Sequence, residues 1–359
     1  MTTRRTVLLA FAGAAAGAVV AGCKGGGGTA SPSTTISGSE PAPPTGPSST
    51  AASPPPAAVM PLTGQPISDP AVAARQSLAV KIDNAPEARP QSGLDKADLV
   101  YEEVVEGGVV RFMAVFHSQE APLVGPIRSV RLVDASLVTV LKGIFAYSGG
   151  AGAFIEAAKA TPAFILSADE VGDRNGKPFS RRPGRSAPHN LYSSTALLRA
   201  AAKPSNDAPP VLYTYRQAGT SLGGGAAVAR TATVVMGDRT TALWTYADDT
   251  QSWARTTNGT PHVIEGGGQL RFPNVVLQFV PYKGTEVRDV SGAVSPVAVV
   301  EGEGDVWVLS GPALVKGRWK KAGKGDITSI VDASGAPIGL QPGPTWHMLV
   351  PTGTNPSIA

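Results

Sequence analysis

Leu78 to Ile82 is a short apolar run closed by the turn formers Asp83-Asn84, which marks a strand. Leu99 to Val105 and Val109 to Phe116 are two further β-rich runs, and Gly107-Gly108 between them predicts a hairpin. Pairing outward from that turn sets Arg111 opposite Val104 and diagonal to Glu102 and Glu106 on one face. After Gly125-Pro126, the segment Leu132 to Lys142 carries Leu132, Val133, Leu137, Val138 and Leu141 at helical spacing, with Ser129 as a candidate cap. Ile144 to Tyr147 then predicts a buried strand, Ser148-Gly149-Gly150-Ala151-Gly152 a turn, and Phe154 to Ala160 a second helix. Ser193-Ser194 opens a third helix through Ala202. Residues 61–203 thus predict an α/β domain, a mixed sheet with helices.

Pro204 to Pro210 breaks the pattern and predicts an interdomain link. Beyond it Thr231 to Met236, Ala242 to Tyr246, Val275 to Val280, Val306 to Leu309 and Trp346 to Val350 are β-rich runs between Gly, Asn, Asp and Pro punctuation. A mainly-β carboxy-terminal domain over residues 208–351 follows. None of the 5 tryptophans precedes Trp244. Rings of that size in sheets anchor cores more often than they form a glycan-stacking face.

The amino terminus is different in kind. Arg4-Arg5 precede an apolar run, Val7 to Val20, too short to span a membrane comfortably. It ends in Val20-Ala21-Gly22-Cys23, which resembles the lipobox of bacterial lipoproteins. That resemblance implies a signal peptide over residues 1–22, cleavage before Cys23 and a diacylglyceryl or palmitate-type lipid on its thiol. Thr3-Arg4-Arg5 is compatible with twin-arginine as well as Sec export. Cys23 is the only cysteine, so internal disulfides, cysteine nucleophiles and cysteine metal sites are all excluded from the mature domains. Residues 23–60 hold this cysteine and a tether of Gly, Ser, Thr, Pro and Ala that cannot bury enough apolar surface to fold.

A formal net charge of +4 at pH 7 could suggest a polyanion binder. Residues 61–203 carry 16 basic and 14 acidic groups, however, and residues 204–359 carry 12 of each, so nucleic acid is no expected partner. Basic sites must be local. Asp173 to Tyr192 gathers Arg174, Lys177, Arg181, Arg182 and Arg185 in a proline-broken loop. An anion site is expected from Arg89, Arg111, Arg128, Ser129, Arg131, the Ser148-Gly149-Gly150 turn, Arg185, His189 and Asn190. Arg128 and Arg131, three apart, would project together from a first helical turn. Asp83, Asp98, Glu102 and Glu106 are the expected acidic partners. No HExxH, Walker or GxSxG motif occurs, and the 4 histidines are dispersed, so no catalytic residue, metal site or cofactor is assigned.

Several ordered blocks resemble the YerB-like lipoproteins, a two-domain bacterial family: Ile82-Asp83-Asn84, Ala88-Arg89-Pro90-Gln91-Ser92-Gly93-Leu94, Glu106-Gly107-Gly108 with Arg111-Phe112-Met113-Ala114, Gly125-Pro126-Ile127-Arg128-Ser129-Val130-Arg131, and Ala187-Pro188-His189-Asn190-Leu191-Tyr192. Tyr147 stands where the family pattern has histidine, and Phe179-Ser180-Arg181-Arg182 departs from its aromatic-Arg-Asp run. The resemblance implies an extracytoplasmic protein, lipid-anchored on the outer face of the cytoplasmic membrane. Two functions fit. One is binding of an anionic glycan, lipid or envelope protein through the arginines. The alternative is a transferase or hydrolase acting on a phosphorylated glycan or lipid, with Mg²⁺ held by Asp83, Asp98 and Glu102. The layout faintly resembles that of the LytR–CpsA–Psr transferases, without a motif match.

Overall fold

The computed structural model describes residues 58–174, 176–205, 207–288 and 292–359. The expected signal peptide, Cys23 and the tether as far as residue 57 lie outside the described residues. The longer strands of the first half are β1 (Leu78–Ile82), β2 (Leu99–Val104), β3 (Val110–Phe116), β4 (Ile144–Tyr147) and β5 (Phe164–Ser167). Its main helices are α1 (Asp134–Leu141), α2 (Gly152–Lys159) and α3 (Thr195–Ala201). The second half supplies β6 (Thr231–Gly237), β7 (Thr240–Ala247), β8 (Ser252–Thr257), β9 (Asn274–Val280), β10 (Tyr282–Arg288), β11 (Val294–Ala298), β12 (Gly302–Ser310), β13 (Ala313–Lys321), β14 (Ser329–Asp332) and β15 (Thr345–Pro351). An α/β region followed by one that is nearly all strand is therefore the architecture, as the periodicities predict.

The two regions share a sheet. Its order is β14-β13-β12-β9-β15-β2-β3-β1-β4-β5. β15 runs parallel to both of its neighbours, pairing Thr345 with Asn274 on one side and with Leu99 on the other. The last long strand of the chain thus joins the first half to the second through backbone hydrogen bonds, and Pro204–Pro210 marks a change of pattern rather than a break in the sheet.

Each face of the sheet carries its own core. On one face Ala79, Leu99, Met113 and Val115 pack against Val138 and Leu141 of α1 and Phe154 of α2. On the other Val80, Val100, Phe112 and Ala114 meet a second sheet, β8-β7-β6, through Trp244 and Trp253. Trp346 is fully buried there, with Phe112, Phe272 and Trp244 at ring separations of 4.8, 5.2 and 5.5 Å. Four tryptophans, at 244, 253, 319 and 346, are no more than 1% exposed, which is the core role expected for them. Truncating one would cost on the order of 3–5 kcal/mol.

Two local expectations need correction. The β2–β3 connection is a three-residue turn, Glu106–Gly108, in which Gly107 and Gly108 take φ 70° and 69°, and Val105 N–H bonds to the Val109 carbonyl at 2.9 Å. Taking Glu106 into the turn slides the register by one, so Glu103 faces Arg111 and Val104 faces Val110. With a period of two, that slip moves Glu102 to the opposite face from Arg111. Secondly, α1 begins only at Asp134, and Ser129 does not cap it. Arg128 and Arg131 precede the helix in irregular backbone. The Ser194 cap is as expected, its hydroxyl accepting from Leu197 N–H at 3.1 Å.

Candidate functional site

Arg111 lies on β3 with its guanidinium on the α1–α2 face, 9% exposed. The register puts Glu103 beside it, yet that carboxylate turns to Lys81, which also bonds Asp134 at 2.7 Å. Burial pushes Glu103 up to about 7 against the pull of Lys81. Arg111 is left with one long hydrogen bond, from Nη1 to the Ser129 carbonyl at 3.3 Å, and no carboxylate within ion-pair distance among the described residues. Burial, with the nearby Arg131 charge, lowers it to about 10. A cation held out of water without a counter-charge is a costly arrangement.

Its neighbours are paired. Arg128 Nε is 3.1 Å from Asp83, and His189 Nδ1 meets the same Asp83 oxygen at 2.8 Å. Burial lowers Arg128. Arg131 grips Glu106 at 2.6 and 3.0 Å, and Ser295 of β11 donates to the other Glu106 oxygen. Burial works to raise Glu106, but the Arg131 hydrogen bond and charge together with Ser295 outweigh it and hold the carboxyl below its usual range. These groups surround a cleft of about 540 Å³. Its charged lining is Glu106, Arg111, Arg128, Arg131 and, from β10, Arg288, and its apolar lining includes Ala151, Phe154, Pro188 and Val287.

The two halves match consecutive domain families. Residues 62–207 match "Protein of unknown function (DUF3048) N-terminal domain", and residues 232–346 match the corresponding C-terminal domain. The chain belongs to the DUF3048 family. It is 38% identical over 146 residues to the "Putative lipoprotein YerB" of Bacillus subtilis, a match covering 40% of this chain and 42% of that relative's length. The crystal structure of the YerB protein from Bacillus subtilis superposes with a TM-score of 0.70 at 24% identity, covering 84% of this chain and 99% of the other. That likeness shows the shared fold. The YerB resemblance in the sequence blocks is thereby confirmed, and similarity to a putative lipoprotein goes with the lipobox-like Val20–Cys23. Among the described residues no helix is long and apolar enough to cross a membrane.

Of the residues singled out in this DUF3048 sequence, Arg111, Arg128, Ser129, Arg131 and Gly150 come together in the cleft. Ser148 stands next to it, its hydroxyl 3.5 Å from that of Ser129. Gly149 faces elsewhere: a Cβ there would sit 1.7 Å from an Asp169 oxygen, so the turn already lies against a carboxylate. Arg89 bonds the Asn84 carbonyl at 3.1 Å, and Arg185 bonds the Pro90 carbonyl at 2.7 Å, so both brace a loop instead of the cleft. Asn190 bridges the Arg185 carbonyl and Arg181 at 3.2 and 3.0 Å. His189 bonds Asp83, the partner of Arg128.

The expected acids divide in the same way. Glu106 lines the cleft, and Asp83 is tied to it through Arg128. Asp98 instead accepts from His117 N–H at 2.6 Å and Ser118 N–H at 2.9 Å, with burial raising it, and among the described residues it has no ion pair with an arginine. Glu102, on the far face, pairs with Arg255 rather than Arg111. Asp83, Asp98 and Glu102 therefore occupy three separate networks, and the described residues contain no group of three or more His, Cys, Asp or Glu placed to hold a metal ion. Tyr147, at the family's histidine position, packs on Phe145 at 5.1 Å. Arg288 and Ser295 were not foreseen. Only the fold of the β10–β11 hairpin carries them to a cleft built by residues 106–154.

Proposed function

We propose that this DUF3048 protein is an exported lipoprotein, anchored through a lipidated Cys23 on the outer face of the cytoplasmic membrane, which binds an anionic envelope component in the Arg111 cleft. The observation that carries the reading is Arg111 itself: a guanidinium about nine-tenths buried, lining an open cleft, with no carboxylate within ion-pair distance among the described residues. An anion would supply the missing charge and form charge-assisted hydrogen bonds with it. Asp83 and Glu106 already hold Arg128 and Arg131 in place, which preorganises the wall. Asp83, Asp98 and Glu102 lie in three separate networks, so they do not form together the Mg²⁺ site expected under the transferase or hydrolase alternative.

Titration of the detergent-solubilised full chain with inorganic phosphate tests the site. Arg111→Gln should weaken binding by about tenfold or more, the worth of one buried charged hydrogen bond. Unchanged binding would overturn the assignment. For the anchor, Cys23→Ala should release the chain from the membrane fraction or leave it unprocessed, and a variant still lipid-labelled would overturn that part.

A further inference from the structure

We propose that the cleft selects a dianionic phosphate monoester attached to a flat or apolar group, and that Arg288 is the residue that reads the second negative charge. The proposal rests on the anion-binding reading above and sharpens it. Charge decides the class. Four arginines, Arg111, Arg128, Arg131 and Arg288, line the cleft. Asp83 and Glu106 each neutralise one of them, and among the described residues Arg111 and Arg288 have no carboxylate within ion-pair distance. Glu103 and Asp134, behind Arg111, are both turned onto Lys81. A monoanion would answer Arg111 alone, whereas a phosphate monoester, with two charges above its second pKa near ~6, answers both.

Position supports the pairing. Arg111 is deep and fixed on β3, and Arg288 is exposed at the end of β10, so the two cations reach the cleft from the floor and the rim. Arg288 spends one nitrogen on the Gly292 carbonyl at 2.8 Å, which steadies the side chain and leaves other donors free. The Ser295 to Glu106 hydrogen bond ties the same hairpin to the charged wall. Phe154, Pro188 and Val287 line the same cleft and offer an apolar surface. A ring or alkyl group beside the phosphate would cover it, where a bare inorganic ion would not.

Two probes that share a ring isolate the charge: phenyl phosphate, a dianion at pH 7.5, and methyl phenyl phosphate, a monoanion. Each is titrated into the full chain in detergent, wild type and variants. The wild type should bind phenyl phosphate about fivefold or more tighter than its methyl ester, a margin set by one charge-assisted contact at the rim. Arg288→Gln should abolish that preference while leaving the methyl ester within about twofold of wild type. Arg111→Gln should weaken both probes. Equal affinity for the two probes in the wild type, or an Arg288→Gln variant with the preference intact, would overturn the dianion proposal and leave the anion cleft standing. Binding of neither probe would overturn both.

Discussion

The Arg255 guanidinium donates two hydrogen bonds to the Glu102 carboxylate, at 2.7 and 2.9 Å, with both side chains sealed from solvent. Trp346 Nε1 donates to Glu102 at 2.6 Å, and the rings of Trp346, Trp244 and Phe112 stand 4.8, 5.1 and 5.6 Å from the guanidinium carbon. Arg255 belongs to β8 of the small sheet and Glu102 to β2 of the central one, so this ion pair is where the two sheets are locked. Arg255→Met alone strands a buried carboxylate and should cost about 3–5 kcal/mol in urea unfolding. Adding Glu102→Leu should recover part of that loss, because no buried charge is then left unpaired and only the Trp346 Nε1–H loses its acceptor. Additive losses in the double variant would show that the rings, and not the charges, hold the sheets.

That pair also shows what the sequence could and could not disclose. The strands β1 to β4 and the helices were legible because apolar spacing is local. A two-residue Gly-Gly turn, the simplest hairpin, places Glu102 diagonal to Arg111, and one extra residue in the turn moves it to the other face. Its true partner is 153 residues away, and no local pattern encodes such a pairing. The cleft was legible as far as it is built by Gly125–Arg131 and the end of β3. Arg288 was not, since an arginine at the end of a polar strand looks like solvated surface until the hairpin is docked.

The shared sheet predicts the behaviour of the separated halves. A chain ending at residue 207, the carboxy-terminal edge of the first domain match, lacks β15 and exposes β2 as an unpaired central strand edge. Such an edge templates aggregation. The fragment should be insoluble alone and recovered as a soluble 1:1 complex when co-expressed with residues 208–359. A monomeric, cooperatively folding fragment would count against β15 as the joining strand.

The Lys81–Glu103–Asp134 cluster makes a prediction about pH. Glu103 has an ordinary value of 4.5 and is raised to about 7 in the folded chain, chiefly by burial. Between those values the folded state holds a proton that the unfolded state releases, so this group weakens folding as pH rises through that window. Wild type minus Glu103→Gln should therefore show a stability difference that shifts against the wild type by roughly 1–3 kcal/mol between pH 4.5 and 8. Lys81 keeps Asp134 as its partner in the variant. Parallel stability curves for the two proteins would mean that Glu103 is ionised throughout.

Arg111 sets folding against binding. Its guanidinium sits about 91% out of solvent, from the 9% exposure, with one hydrogen bond at 3.3 Å and burial lowering it to about 10. The charge destabilises the fold, since Asp83 and Glu106, neither within ion-pair distance of it, offset the desolvation only in part. Arg111→Met, which keeps the length of the side chain and removes the charge, should raise the unfolding free energy by about 1–2 kcal/mol while phosphate binding is lost. A structural arginine behaves in the opposite way: removing one from a buried pair costs about 3 kcal/mol or more. Urea unfolding of the same variant, with and without phosphate, separates the two. A stabilised variant that no longer gains stability from phosphate marks Arg111 as a group kept for its ligand, and a destabilised one marks it as a member of the core.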